Sequence, residues 1–254
     1  MNDLDPIPAA AARRRRGSRV TTLMAVVLAC GVLFGSLARS VRQAREAARA
    51  SQCVGNFKQI ALALANYHSA FDCFPPAYVA DATGKPMHSW RVLILPFLEQ
   101  SVLYNAYDFA EPWDGPNNRL LIDRIPSPYN CPSRGAGRGL TSYVAIVGPD
   151  TAFPHASIRK STDIRDGTSR TILGGEVSNI GIVWTEPRDL DVATMSWAID
   201  DPARPGLSSF HDRGPAVAFV DGYIRRLGTF RPPGTLKALT TIDGGEPVDL
   251  DKGP

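Results

Sequence analysis

The chain has 254 residues, 44% hydrophobic and 21% charged, a balance that excludes an intrinsically disordered protein and suits one membrane segment plus one domain of ordinary size. Its 21 prolines and 22 glycines demand many turns, so the globular part should be rich in loops. The net charge of +3 is unevenly held: nine arginines face only Asp3, Asp5 and Glu46 in residues 1–50, which leaves the remainder acidic, so the basic character points to anionic lipid headgroups and away from nucleic acid.

Residues 1–19 read as a basic, Ala- and Arg-rich cytoplasmic tail without fixed structure. Residues 20–38 form an apolar run with no charge. At a helical rise of 1.5 Å this run is about 28 Å long, against ~30 Å for the hydrocarbon core of a bilayer. Arg13, Arg14, Arg15, Arg16 and Arg19 precede it, and Arg39, Arg42, Arg45 and Arg49 follow; the denser cluster on the N-terminal side favours a cytoplasmic N-terminus. A cleaved signal peptide is the competing reading, with Ser36 and Ala38 as small residues before a cut. Against it, the run is longer than a usual signal core and the helical pattern carries on past it. Neither Gly nor Pro interrupts residues 40–51. Phe57, Ile60, Ala61, Leu64, Tyr67 and Phe71 then recur at helical spacing, with Lys58, Asn66 and Ser69 off the stripe. The pattern predicts one helix, transmembrane over 20–38 and a stalk over 39–72, followed by a domain over 73–254.

Gln43-Ala44-Arg45-Glu46-Ala47-Ala48-Arg49 and Gln52-Cys53-Val54-Gly55-Asn56-Phe57-Lys58-Gln59-Ile60, coming after Arg16-Gly17 and a long apolar helix, resemble the start of a large bacterial family of pseudopilin-like proteins. These are relatives of the G-type pseudopilin of type II secretion and mostly have no assigned function. Residues 62–68, 89–100, 103–109 and 112–118 continue the likeness, as do Cys131-Pro132-Ser133 and residues 166–172. The resemblance implies a pilin-like α+β fold, a long N-terminal helix packed on an antiparallel sheet. It also implies prepilin processing after Gly17, and other pilin-like or secretion-system subunits as partners. Here the chain departs from the family's Gly-Phe-Thr-Leu-Val-Glu signal: Arg19 stands at an apolar position and Thr22 replaces the Glu. Gly17 is therefore a degenerate cleavage position, and a retained single-pass anchor in the inner membrane is expected, with the C-terminal domain extracytoplasmic.

Further along, Phe74-Pro75-Pro76 is expected to stop the long helix. Ser89 is placed to cap a short helix, and Pro96 to open a second one running to about Tyr107. Residues 118–123 suggest a helical turn or two. Strands are expected over 142–148, 172–176 and 180–184, the last two as neighbours, and 217–220 with 223–227 should form a hairpin closed by a two-residue Asp221-Gly222 turn. His211 stands in the H-x(9)-DG spacing with Asp221 and Gly222 that marks the C-terminal part of the resembled family. Residues 233–239 suggest a final short helix.

Of the four cysteines, Cys30 falls in the lipid run, and the absence of any C-x-x-C pair argues against a zinc knuckle. Cys53 and Cys131 are either two buried thiols or a disulfide tying the stalk to the domain; an exported domain favours the disulfide and leaves Cys73 over. The polar candidates are Asp166, Glu176, His211 and Asp221. Asp166 and Asp221 are weak calcium candidates, since each precedes a Gly, where turn geometry alone accounts for an Asp. As a structural residue, His211 would hydrogen-bond across the hairpin base; as a catalytic base it lacks a nameable nucleophile or metal. No G-x-S-x-G, H-E-x-x-H, P-loop or Rossmann pattern is present. The expectation is a non-enzymatic, membrane-anchored envelope protein without a cofactor, structural or secretion-associated. The alternative is a stalk-displayed solute- or glycan-binding module, which Trp90, Trp113, Trp184 and Trp197 gathered on one exposed groove would favour. An envelope hydrolase using His211 comes last.

Overall fold

The computed structural model describes residues 9–135, 139–228, 232–246 and 248, with side chains from residue 23 onward. Helix α1 runs over Ala9–Phe71, 63 residues without a break. It begins ahead of residue 20, so residues expected in an unstructured tail are helical from Ala9; alanine and arginine are among the best helix formers. The chain divides into two compact units, the first ending at Ala48 and the second starting at Arg49.

In the first unit Leu23, Val27, Leu28, Val32, Leu33, Phe34 and Leu37 are all exposed. From Leu23 the helix holds an 18-residue window of mean hydropathy 1.9, none of it buried, which makes this part of α1 a candidate single membrane span by length and composition.

In the second unit α1 changes character. Cys53, Phe57, Ile60, Ala61 and Leu64 are buried on one face, while Lys58, Asn66 and Ser69 remain exposed. Phe71, expected in the stripe, is 58% exposed and makes ring contacts with Tyr67 and Phe97. The helix ends at Asp72, before the Phe74-Pro75-Pro76 stop: Asp72 adopts φ 56°, and its N–H donates to the His68 carbonyl at 2.8 Å. A left-handed residue after the last turn closes a helix by re-pairing a free carbonyl.

A short antiparallel pair follows, β1 (Tyr78–Ala80) with β2 (Pro86–Ser89), which the sequence pattern does not predict. Helix α2 (Trp90–Leu93) is capped by the Ser89 hydroxyl, which accepts from the Arg91 N–H. The single helix expected from Pro96 is instead a 3₁₀ turn, Leu95–Leu98, and a separate α3, Ser101–Ala106. Glu99 at φ 58° breaks them apart. Two further 3₁₀ segments, Asn118–Arg124 and Ser127–Tyr129, lead to the main sheet.

That sheet has five strands: β3 (Tyr143–Val147), β4 (Ile172–Glu176), β5 (Leu190–Asp191), β6 (Ala216–Phe219) and β7 (Ile224–Arg226), in the order β5-β3-β4-β6-β7. All pairings are antiparallel except the short edge contact of β5 with β3. Both faces are covered, which is why β3, β4 and β6 are buried at every position. Tyr143, Ala145 and Leu173 face the core shared with the α1 stripe; Val144, Ile146, Ile172 and Phe219 face a second core holding Leu236 and Leu239 of α4 (Pro233–Ala238) and its cap. Strand alternation thus sorts one set of side chains into two layers.

Residues 180–184 do not pair with β4. They lie beside residues 139–141, where Thr141 N–H donates to Ile182 O at 2.9 Å and Trp184 N–H to Gly139 O at 2.8 Å. The β6–β7 hairpin is closed by three residues, not two. Gly222 N–H and Tyr223 O both bond Phe219, and Gly222 takes φ 84°, which is a type I turn followed by a glycine bulge.

Candidate functional site

Four side chains from four separate segments meet where α1 crosses the sheet. Cys53 comes from the first buried turn of α1, and Cys131 follows the Ser127–Tyr129 turn. Glu176 ends β4, directly opposite Tyr143 on β3, and His211 comes from the loop before β6. The helix is held here by polar contacts as well as by its stripe. The Tyr143 hydroxyl donates to the Cys53 carbonyl at 2.9 Å, Arg226 Nη2 donates to the Ala50 carbonyl at 2.9 Å, and Asn56 Nδ2 donates to the Asn130 carbonyl at 2.8 Å.

Cys53 and Cys131 form a disulfide with Cα atoms 5.3 Å apart; Cys73 is a buried free thiol and Cys30 an exposed one. His211 Nε2 lies 3.2 Å from Cys53 Sγ and 3.4 Å from Cys131 Sγ. The ring thus faces the disulfide. The His211 backbone N–H donates to Ser209 Oγ at 3.1 Å, and that hydroxyl donates to Glu176 Oε2 at 3.1 Å. Glu176 Oε2 also accepts from the Ala216 N–H at 3.1 Å and faces Arg226 Nη1 at 3.5 Å. The other oxygen, Oε1, has no hydrogen-bond partner and lies 3.9 Å from His211 Nε2. Cys53, Cys131 and Glu176 are fully buried and His211 nearly so. Burial raises the Glu176 carboxyl above its usual range, opposed by the Ala216 N–H and the charges of Arg226 and His211. Burial likewise raises the Tyr143 phenol.

The other candidates lie elsewhere. The Asp166 carboxylate accepts from Gly244 N–H (2.7 Å), Gly245 N–H (2.9 Å) and Thr241 Oγ1 (3.3 Å), closing the loop after α4. Asp221 accepts from the Tyr223 N–H at 2.9 Å inside its own turn. Neither joins the group around His211. Trp90 and Trp184 are buried core residues, so the four tryptophans do not gather on an exposed groove. Trp90 Nε1 instead donates to the Asp189 carboxylate, which pairs with the fully buried Arg91, and Trp184 Nε1 donates to the Ile122 carbonyl. Gly17 lies in the helical backbone of α1, among residues whose side chains are outside the described set.

Residues 42–161 match the family model described as a protein of unknown function, DUF1559. The match begins on α1 and extends through β3, so it takes in Cys53 and Cys131 and stops before Glu176 and His211. DUF1559 is associated with pilin- and pseudopilin-like bacterial proteins, which agrees with the coarse likeness read from the sequence motifs. No curated protein and no solved structure matches the chain.

Sequence reasoning singled out Cys53, Cys131, Glu176 and His211 one by one but missed that they meet. The one local sign is a carboxylate ending the otherwise apolar Ile172-Leu173-Gly174-Gly175 strand, a position where a buried acid needs partners.

Proposed function

We propose that this is a non-enzymatic, membrane-anchored, pilin-like envelope protein, structural or secretion-associated, with a cytoplasmic N-terminus and an extracytoplasmic domain. The observation that carries the reading is the two-character helix: exposed and apolar over residues 23–37, then striped and buried from Cys53. The coarse DUF1559 likeness supports it, and a buried disulfide fits an oxidising compartment. The degenerate signal around Gly17 and Thr22 favours a retained anchor over a cleaved subunit, with other pilin-like or secretion-system subunits as the partners to look for.

The test is alkaline extraction of membranes combined with protease accessibility in spheroplasts and intact-mass analysis. The reading expects a protein that stays with the membrane, is digested from outside, and keeps its N-terminus. Release by alkali would end the anchor reading. Cleavage after Gly17 with methylation of Ser18 would replace it with that of a processed pseudopilin.

A further inference from the structure

We propose that Cys53, Cys131, His211 and Glu176 form a redox-gated site for one thiophilic divalent cation, with zinc as the type ion. Oxidised, the two sulfurs are joined and the site is closed; reduced, they become the third and fourth ligands of a Cys₂-His-Glu set.

The geometry needs little change to reach that set. Tetrahedral zinc holds sulfur at ~2.3 Å and nitrogen or oxygen at ~2.0–2.2 Å, so neighbouring donors lie about 3.3–3.8 Å apart. His211 Nε2 is already 3.2 and 3.4 Å from the two sulfurs and 3.9 Å from Glu176 Oε1. All four donor atoms lie within 4.8 Å of one another. The sulfur–sulfur separation must widen, which breaking the disulfide allows, and the donors within 4.8 Å of one another must draw in to the tetrahedral spacing.

A second observation points to a ligand. Glu176 Oε1 is a fully buried carboxylate oxygen without a hydrogen bond, aimed at the imidazole, while Oε2 is held by Ser209 and Ala216. A buried acceptor left unpaired is costly, and a bound cation satisfies it. Charge also closes: two thiolates and one carboxylate exceed a divalent cation by one negative charge, and Arg226 stands 3.5 Å from Oε2. The segments that carry two of the donors are held by backbone hydrogen bonds: the Cys131 backbone N–H donates to Ser142 Oγ, and the His211 backbone N–H to Ser209 Oγ.

Opening the site takes a dithiol reductant: its two thiols pass two electrons and two protons to the Cys53–Cys131 bond, giving two protein thiols and one reductant disulfide. Binding of the cation then releases both thiol protons. The proposal concerns residues 53–211 and stands independently of the anchor reading.

The test uses the full chain in detergent with Cys30→Ser and Cys73→Ala, so that only this pair can contribute thiolate. A phosphine, oxidised to its oxide with oxygen from water, reduces the protein, and cobalt(II) is the probe. The expected result is one cobalt per reduced chain, with thiolate charge-transfer and tetrahedral visible bands that zinc abolishes, and no such bands from the oxidised chain. Loss of the ligands in His211→Ala and Glu176→Gln should each weaken cobalt binding by at least the ~10–100-fold that losing a supporting outer-shell partner costs. His211→Cys should keep binding and strengthen the charge-transfer band, which separates a ligand from a packing residue. Circular dichroism of the oxidised variants checks the fold. A reduced chain that binds no cobalt, whether folded or not, overturns the proposal. So does equal binding by the oxidised chain, or binding that neither His211→Ala nor Glu176→Gln weakens.

Discussion

Residues 23–37 and 53–64 lie on the same helix and are similarly rich in apolar side chains, yet the first set is exposed throughout and the second is buried along one face. The difference lies in arrangement. Leu23, Met24, Val32 and Leu33 are spread right around the axis, whereas Phe57, Ile60, Ala61 and Leu64 recur on one side and leave Lys58 and Gln59 exposed. A surface that is greasy all round suits lipid; a surface greasy on one side suits a sheet. Under the anchor reading, substitutions in the two parts of this helix should therefore report on different equilibria.

The largest effect is expected where the second part is tied covalently. Replacing both Cys53 and Cys131 by Ser opens a connection of 78 residues and should cost about 4–5 kcal/mol of unfolding free energy in the chain-entropy account, read by urea denaturation in detergent. Ile60→Ala should follow at about 2–5 kcal/mol, because Ile60 is fully buried against the sheet. Leu28→Ala should leave the same transition within about 0.5 kcal/mol. Equal losses from Ile60→Ala and Leu28→Ala would erase the distinction between the two parts. Leu28→Arg inverts the test: it should leave the domain's transition alone and disfavour membrane insertion by about 2.5–3.5 kcal/mol, measured as the inserted fraction in microsomes.

Smaller effects sharpen the picture at the far side of the sheet and at its buried acid. Gly222→Ala forces a Cβ onto φ 84° and should cost about 1 kcal/mol. Burial raises the Glu176 carboxyl above its ordinary 4.5, so the folded state holds its proton at pH values where the unfolded chain has lost it. That contribution is fully present below pH 4.5 and fades as pH rises through the folded-state value. Glu176→Gln should therefore flatten the decline in stability on going from acid toward neutral pH, with urea midpoints across that range as the readout; an unchanged slope would place the titrating group elsewhere.

Much of the architecture is written in local pattern. The stripe from Phe57 to Leu64, the strands at Tyr143–Val147 and Ile172–Glu176, and the hairpin around Asp221-Gly222 each announce themselves through periodicity or turn chemistry. What escapes is set by partners distant in the chain. Leu190–Asp191 is too short to carry a period and is a strand only because β3 offers it an edge. Residues 180–184 have the composition of a strand, but their hydrogen bonds go to residues 139–141. The candidate site is the sharpest case. The missing C-x-x-C spacing argues against a zinc knuckle, but 78 residues separate Cys53 from Cys131, and folding, not spacing, brings them to Glu176 and His211. Trp90 and Trp184 err the other way: they are residues that sequence offers for recognition, and the core has taken them.

Cys53 is also the first fully buried side chain met on travelling down α1 from its described start. Tension entering the domain along the helix backbone would therefore reach a covalent bond before it reached the packed rings and branched chains at Phe57, Ile60 and Leu64. The link converts peeling, in which contacts fail one after another, into shear on the whole fold at once. A protein pulled by its root would then yield abruptly and late when the sulfurs are joined, and gradually and early when they are not.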